Sequence, residues 1–340
     1  MSRPAQISYV LLVVFITLCA SLHLGTFLLT ALFGYLALQM FSFQRSKALS
    51  IALYFFAVII VGAGLLYFAS RAYRTFPKIA EMSIPAMVEF AERNGIDLPF
   101  TDYASLKSSA LDEAKEGIAT IGRYARIASF QSVLLIAGLI VALGIFLNPS
   151  WTTGGQDGAA PENIYAQITR ELSIRFNNLY RSFVRVMGAQ IIISAINTTL
   201  TAVFLVFSGY PLSAVLLCLV FLCGLVPIVG NLISNTVVVG VGFTMSPKAG
   251  IVALVFLIAI HKLEYFLNSK IIGGRINSPM WLTLIGLLVG ERLMGISGMI
   301  LAPAFLYYIK FEVSAYASPE QTASSSLVRT GERAGRVRAF

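Results

Sequence analysis

The stretch VMGAQIIISAINTTLTAVFLVFSGYPLSAVLLCLVFLCGLVPIVGNLISNTVVVGVGFTMSP, residues 186–247, runs for 62 residues without one Asp, Glu, Lys, Arg or His. A single membrane-spanning helix needs about 20 predominantly apolar residues. Two spans at least, and three if the run is fully used, therefore fit inside it. Soluble domains carry about 25% charged residues and interrupt such runs. This chain of 340 residues is 57% hydrophobic and 12% charged. The expectation is an all-α, polytopic helical membrane protein of about eight transmembrane segments, some of them re-entrant or broken hairpins, with one extramembranous helical region.

Upstream of that run, residues 7–22 and 24–43 are apolar segments divided by Ser21, His23 and Gly25, with Arg45 and Lys47 closing the second. They read as a tight helical pair. Arg3 followed by apolar residues and Leu18-Cys19-Ala20 has the form of a signal peptide, but a second apolar run follows at once, so the first is read as an uncleaved span. Residues 48–69 make a third. Residues 71–126 change character, with eight basic and eight acidic residues and with Pro77, Pro85 and Pro99 cutting them into short helical pieces. Thr101 is a candidate N-cap, and Tyr103, Leu106, Ala110, Ala114, Ile118 and Ile121 recur at helical spacing. That stripe fits a helix on a membrane or a neighbouring subunit, and equally one covering its own core. Residues 129–148 span again, and a Gly- and Pro-rich loop follows.

Arg170, Arg175, Arg181 and Arg185 precede the charge-free run and mark its start as cytoplasmic. Within the run, residues 212–226 and 228–245 are two apolar arms joined at Pro227, either two short spans or a re-entrant hairpin. Residues 250–267 return inward to Lys270 and Arg275. Residues 278–290 and 293–309 form a second pair of arms around Glu291 and Arg292. The first arm of that pair, at about 1.5 Å per residue, is about 20 Å long against a hydrocarbon core of about 30 Å, so a re-entrant or steeply buried hairpin is expected. The tail, with Arg329, Arg333, Arg336 and Arg338, is read as disordered and cytoplasmic. The expected organisation is amino-terminal spans over 1–69, an external helical region over 70–128, a transport core over 129–316 and a tail over 317–340. Both termini fall on the cytoplasmic side.

The formal charge of +9 sits in short loops and the tail, a positive-inside distribution rather than a nucleic-acid surface. Cys19, Cys218 and Cys223 all lie in apolar stretches, and His23 and His261 are the only histidines. Neither a disulfide framework nor a metal site is suggested, no cofactor is implied, and no nucleophile, base and orienting acid assemble into an enzyme site.

An ionisable group inside a span costs about 2.5–3.5 kcal/mol on insertion scales and asks for a reason. His261, Glu264 and Asn268 follow one another at three and four residues, on one helix face. Glu264 is a candidate proton or cation site tuned by His261. The alternative is a structural carboxylate paired with Arg275 or a backbone amide. Asn231, Ser234 and Asn235 form a second polar set just after the break at Pro227, where Asn197, Thr198 and Thr201 could face them. Broken helices of this kind expose groups that coordinate substrates or ions, and interhelical hydrogen bonding explains the same residues without transport. Gly286, Gly290, Gly295 and Gly298 near the last hairpin allow close backbone approach, as packing or at a moving interface, and Glu291 and Arg292 could pair or gate at the hairpin tip.

The segments LVPIVGNLISN from Leu225, HKLEYFLNSKIIGGRINSP from His261 and GERLMGISGMILAPAF from Gly290 resemble the AI-2E family, the autoinducer-2 exporter-like membrane proteins. By that resemblance Pro227 and Gly230 match a hairpin turn, Glu264 a recurrent acidic position, and Gly290, Glu291, Gly295, Gly298 and Pro303 the final Gly-rich hairpin. His261, Asn231 and Lys270 depart from the residues the family often has there. The resemblance implies a homo-oligomeric secondary transporter in the lipid bilayer that exports or exchanges a small solute or ion, of an autoinducer-2 exporter or cation/proton antiporter type. The alternative expectation is a non-transporting membrane scaffold whose external helices recruit envelope partners.

Overall fold

The structure is a computed structural model and describes residues 2–42, 46–95, 118–148, 163–226, 229–271 and 280–314, with the side chains of 76, 77, 80, 118–128, 265–271 and 280 left aside. The described residues form helices and no strand: α1 (Arg3–Ser21), α2 (Gly25–Met40), α3 (Lys47–Arg93), α4 (Ile118–Leu147), α5 (Ile164–Phe207), α6 (Ser213–Gly224), α7 (Val229–Met245), α8 (Pro247–Ile271) and α9 (Met280–Ser314). Five of them are long and apolar enough to cross a membrane by length and composition: α1, the Lys47–Thr75 part of α3, the Ser129–Leu147 part of α4, α5, and Trp281–Ser314 of α9. α2, α6 and α7 are shorter apolar helices.

Local chemistry sets several starts. The Ser2, Ser46 and Asn163 side chains accept from the backbone N–H of Ala5, Leu49 and Ala166, occupying donors that have no partner within the helix. The region expected to break at Pro77 and Pro85 is instead one helix of 47 residues. A proline inside a helix costs about 3 kcal/mol. Tertiary packing offsets it here: Ile79 joins the core beside α7, Ser83 lies against Gly240, and Phe90 meets Phe243 at 5.2 Å between ring centroids.

α9 is not a straight rod. At Gly295 the backbone takes φ 63°, ψ −146°, a conformation that glycine alone adopts without strain, and the chain reverses. A Cβ on Gly286 would touch Leu306, and one on Gly290 or Gly298 would meet the other's backbone carbonyl. The arms therefore lie backbone to backbone. The reversal falls at Gly295 rather than at Glu291 and Arg292, which are exposed on the first arm. Its tip sits on the α1–α2 turn, where the His23 ring donates through Nδ1 to the Leu293 carbonyl at 3.0 Å and Thr26 meets Ser297 at 3.2 Å. The far end of the second arm reaches Tyr9 of α1, whose hydroxyl donates to Glu312 at 2.6 Å.

The packing falls into two groups. α1, α2 and α9 enclose the first half of α5, with Phe183, Val186 and Met187 buried against Leu28 and Leu301. α4 lies along α2, with Ala142 and Leu38 closed by Tyr54 of α3. On the other side α6, α7 and α8 pack on one another and on the second half of α5, where Leu205 meets Leu216, Val238 and Leu257.

Candidate functional site

α6 and α7 form the first hairpin. A Cβ on Gly230 would run into the Cys223 carbonyl, so the arms touch at the tip through backbone. Pro227, between them, lies outside the described residues. The last carbonyls of a helix have no partner within it, and here α5 supplies donors. Gln190 Nε2 donates to the Gly224 carbonyl at 2.6 Å, and Ser194 Oγ to the Phe221 carbonyl at 2.7 Å.

That tether sets Asn231, on the first turns of α7, against α8. Its Nδ2 donates to Glu264 Oε2 at 2.5 Å, with Asn231 8% and Glu264 7% exposed. Asn197 of α5, 5% exposed, faces the same carboxylate from a third helix. Its own Oδ1 is buried without a partner. One carboxylate is thus held by the Asn231 amide of α7, with the Asn197 amide of α5 beside it. His261 Nδ1 stands 3.9 Å from Glu264 Oε2, but its side chain is 65% exposed.

Three residues named from sequence therefore meet: Glu264, Asn231 and Asn197, with His261 at the margin. Ser234 is buried, but its hydroxyl donates locally to the Asn231 carbonyl at 3.3 Å. Asn235 is half-buried on the same helix. The Asn268 side chain, Lys270 and Arg275 lie outside what is described. Lys262 is exposed, as a side chain reaching away from the helix would be. Gly290, Gly295, Gly298, Glu291 and Arg292 belong to the α9 hairpin, packed on α1, α2 and α5. Among the described residues, no three His, Cys, Asp or Glu side chains gather in a metal-holding group.

Sequence reasoning missed Gln190 and Ser194. Their signal was present: Gln190, Ser194, Asn197 and Thr201 recur at four, three and four residues, one polar stripe along α5, and all four are buried. It also missed a buried polar cluster where α1, α5 and α9 meet. Glu312 accepts from Tyr9 at Oε2 and from Asn178 Nδ2 at Oε1, 2.9 Å away. Arg175 lies 3.9 Å from Glu312, 3.0 Å from Glu171, and 4.3 Å above the Tyr9 ring. Nearby, Arg185 donates to the Tyr307 hydroxyl.

Apolar helices of spanning length, a hairpin whose tip is pinned by a glutamine amide and a serine hydroxyl, and a carboxylate buried beside that tip define a polytopic helical membrane protein with a polar centre. The family described as "AI-2E family transporter" matches residues 7–318. The chain belongs to that family. It is also 30% identical over 142 residues to "Putative transport protein YdbI" of Bacillus subtilis (strain 168), a match spanning 41% of this chain and 41% of that protein. No solved structure matches.

Proposed function

We propose that the chain is a secondary transporter of the bacterial inner membrane that exports or exchanges a small solute or ion, with Glu264 as its coupling group. The observation that carries this reading is the meeting of Asn231, Asn197 and Glu264. A carboxylate buried at the tip of a broken helix pair, with amides from two neighbouring helices against it, can trade its amide partner for a proton or a substrate cation. The unpaired Oδ1 of Asn197 offers an acceptor beside it.

The same contacts support a membrane topology. The α6–α7 tip is fastened to α5 at Ser194, 13 residues before Phe207, or about 20 Å down the helix at about 1.5 Å per residue. That is a re-entrant depth. The α9 tip reaches the α1–α2 turn and its second arm returns to Tyr9, which supports two short, steeply buried passes by α9 in place of the re-entrant hairpin expected from the length of its first arm. Crossings by α1, α2, α3, α4, α5, α8 and the two arms of α9 make eight, with the Arg170 segment and both termini cytoplasmic. The outward apolar residues of α3, among them Phe56, Ile59 and Leu66, support a lipid-facing or subunit-facing surface in a homo-oligomer. The stretch 101–117, on which a scaffold reading would rest, lies outside the described residues, and no observation favours that reading.

A thermal-stabilisation screen tests the site. Sodium, lithium and autoinducer-2 are added to purified wild type and to Glu264→Gln, because a ligand that binds only the folded state raises its apparent stability. One of them should stabilise wild type and lose its effect in the variant. Equal stabilisation of both proteins would remove Glu264 from the binding site.

A further inference from the structure

Among the described residues, two helices take part in both packing groups. α5 belongs to the α1–α2–α9 group as far as Met187 and to the α6–α8 group from Gln190 onward. α3 belongs to the first group at Tyr54 and Val58 and to the second at Ile79. Gly188 sits on α5 between Met187 and Gln190, and Gly62 and Gly64 sit on α3 between Val58 and Ile79.

A glycine inside a helix weakens it relative to alanine and is ordinarily explained by close approach of a neighbour. That explanation fails here. A Cβ added at Gly62, Gly64 or Gly188 would meet nothing within 4 Å, whereas at Gly138, Gly230 or Gly298 it would collide. Among the described residues one other glycine within a regular helix is equally open, Gly144, and it lies three residues from the end of α4. The open glycines thus fall where the two long helices change partners. Between the same elements lies a cleft of about 380 Å³, lined by Gly64, Leu65 and Phe68 of α3, Thr198 of α5, and Leu217 and Phe221 of α6. On one side of the junction the Arg175–Glu312–Tyr9 cluster ties α5 to α1 and α9. On the other, Gln190 and Ser194 tie it to the hairpin tip.

We propose that Gly188, with Gly62 and Gly64, forms a two-stranded hinge about which the α6–α8 group, carrying Glu264, swings against the α1–α2–α4–α9 group, the cleft being the space it moves into. Bending concentrates at such residues because a glycine backbone tolerates the change of φ and ψ and no side chain resists it. This rests on the transport reading for its purpose but not for its test.

The experiment places spin labels at Val10→Cys in α1 and Val255→Cys in α8, both 61% exposed, after Cys19, Cys218 and Cys223 are replaced by Ala. The distance distribution in liposomes is then compared for the parent, the Gly62→Ala/Gly64→Ala/Gly188→Ala triple variant and the Gly144→Ala control. The parent and the control should show a broad or divided distribution, and the triple variant a single narrow one with a raised thermal midpoint. Flux of any substrate found for the parent should fall roughly tenfold or more, at a factor of about two to five per glycine removed. Superimposable distributions in parent and triple variant would overturn the hinge. If the parent moves no substrate, the transport reading fails, while the label distances still decide the hinge.

Discussion

Replacing Arg175 by Met removes the cation from a buried cluster and leaves its anion behind. Glu312, 7% exposed, would keep only the Tyr9 hydroxyl and the Asn178 amide as donors. At 3.9 Å the Coulomb attraction between the two groups is about 4 kcal/mol for an effective dielectric of about 20. Desolvation of both ions cancels part of it, and breaking a buried pair by deleting one member typically costs about 3–5 kcal/mol. Two donors stay in place and Glu171, more exposed, can turn outward, so the expected loss is about 2–4 kcal/mol. Adding Glu312→Leu to the Arg175→Met protein removes the stranded charge and should restore about 1–3 kcal/mol. Reversible unfolding in mixed micelles, run as a double-mutant cycle, measures both numbers. Single-variant losses that simply add, to within about 0.5 kcal/mol, would refute a coupled cluster at this point.

Gly298→Ala places a methyl group on the Gly290 carbonyl, where no flexible side chain can yield; the arms of α9 must part, at a cost of about 1–3 kcal/mol in the same unfolding assay. Gln190→Ala strands the Gly224 carbonyl and should lower stability by about 1–3 kcal/mol. Hydrogen exchange should then rise first in α6 and the start of α7. Gly230→Ala drives a side chain into the Cys223 carbonyl and displaces the tip that carries Asn231. Any ligand stabilisation seen with wild type should weaken in it, and adding Glu264→Gln should weaken it no further.

The helical membrane class could be read directly, because a charge-free run of this length has no soluble solution. So could the presence of two broken apolar stretches, since Gly and Pro interrupt runs too short to stand alone. The exact reversal in α9 was less visible: Glu291 and Arg292 look like a tip because they are charged, but only Gly295 supplies the positive φ. Pro77 and Pro85 misled in the opposite direction, since the packing of Ile79, Ser83 and Phe90 that keeps α3 continuous depends on residues of α7 some 150 positions away. At the site, Glu264, Asn231 and Asn197 stood out as polar groups in apolar surroundings. Gln190 and Ser194 have the same character but serve backbone carbonyls, and helical periodicity alone does not say which neighbour a stripe will face. Partner choice is tertiary information. For the same reason Glu312 passed as one charge near a helix end until Tyr9, Asn178 and Arg175 closed around it.

The most direct test of the account is flux through the purified protein in liposomes. A pH-sensitive dye trapped inside reports proton movement under an imposed sodium gradient, and labelled autoinducer-2 reports export, for wild type and Glu264→Gln side by side. The account predicts that wild type moves one of these down the imposed gradient and that the variant, still folded, moves it no faster than empty vesicles. Equal flux through both proteins would contradict a transport cycle centred on Glu264.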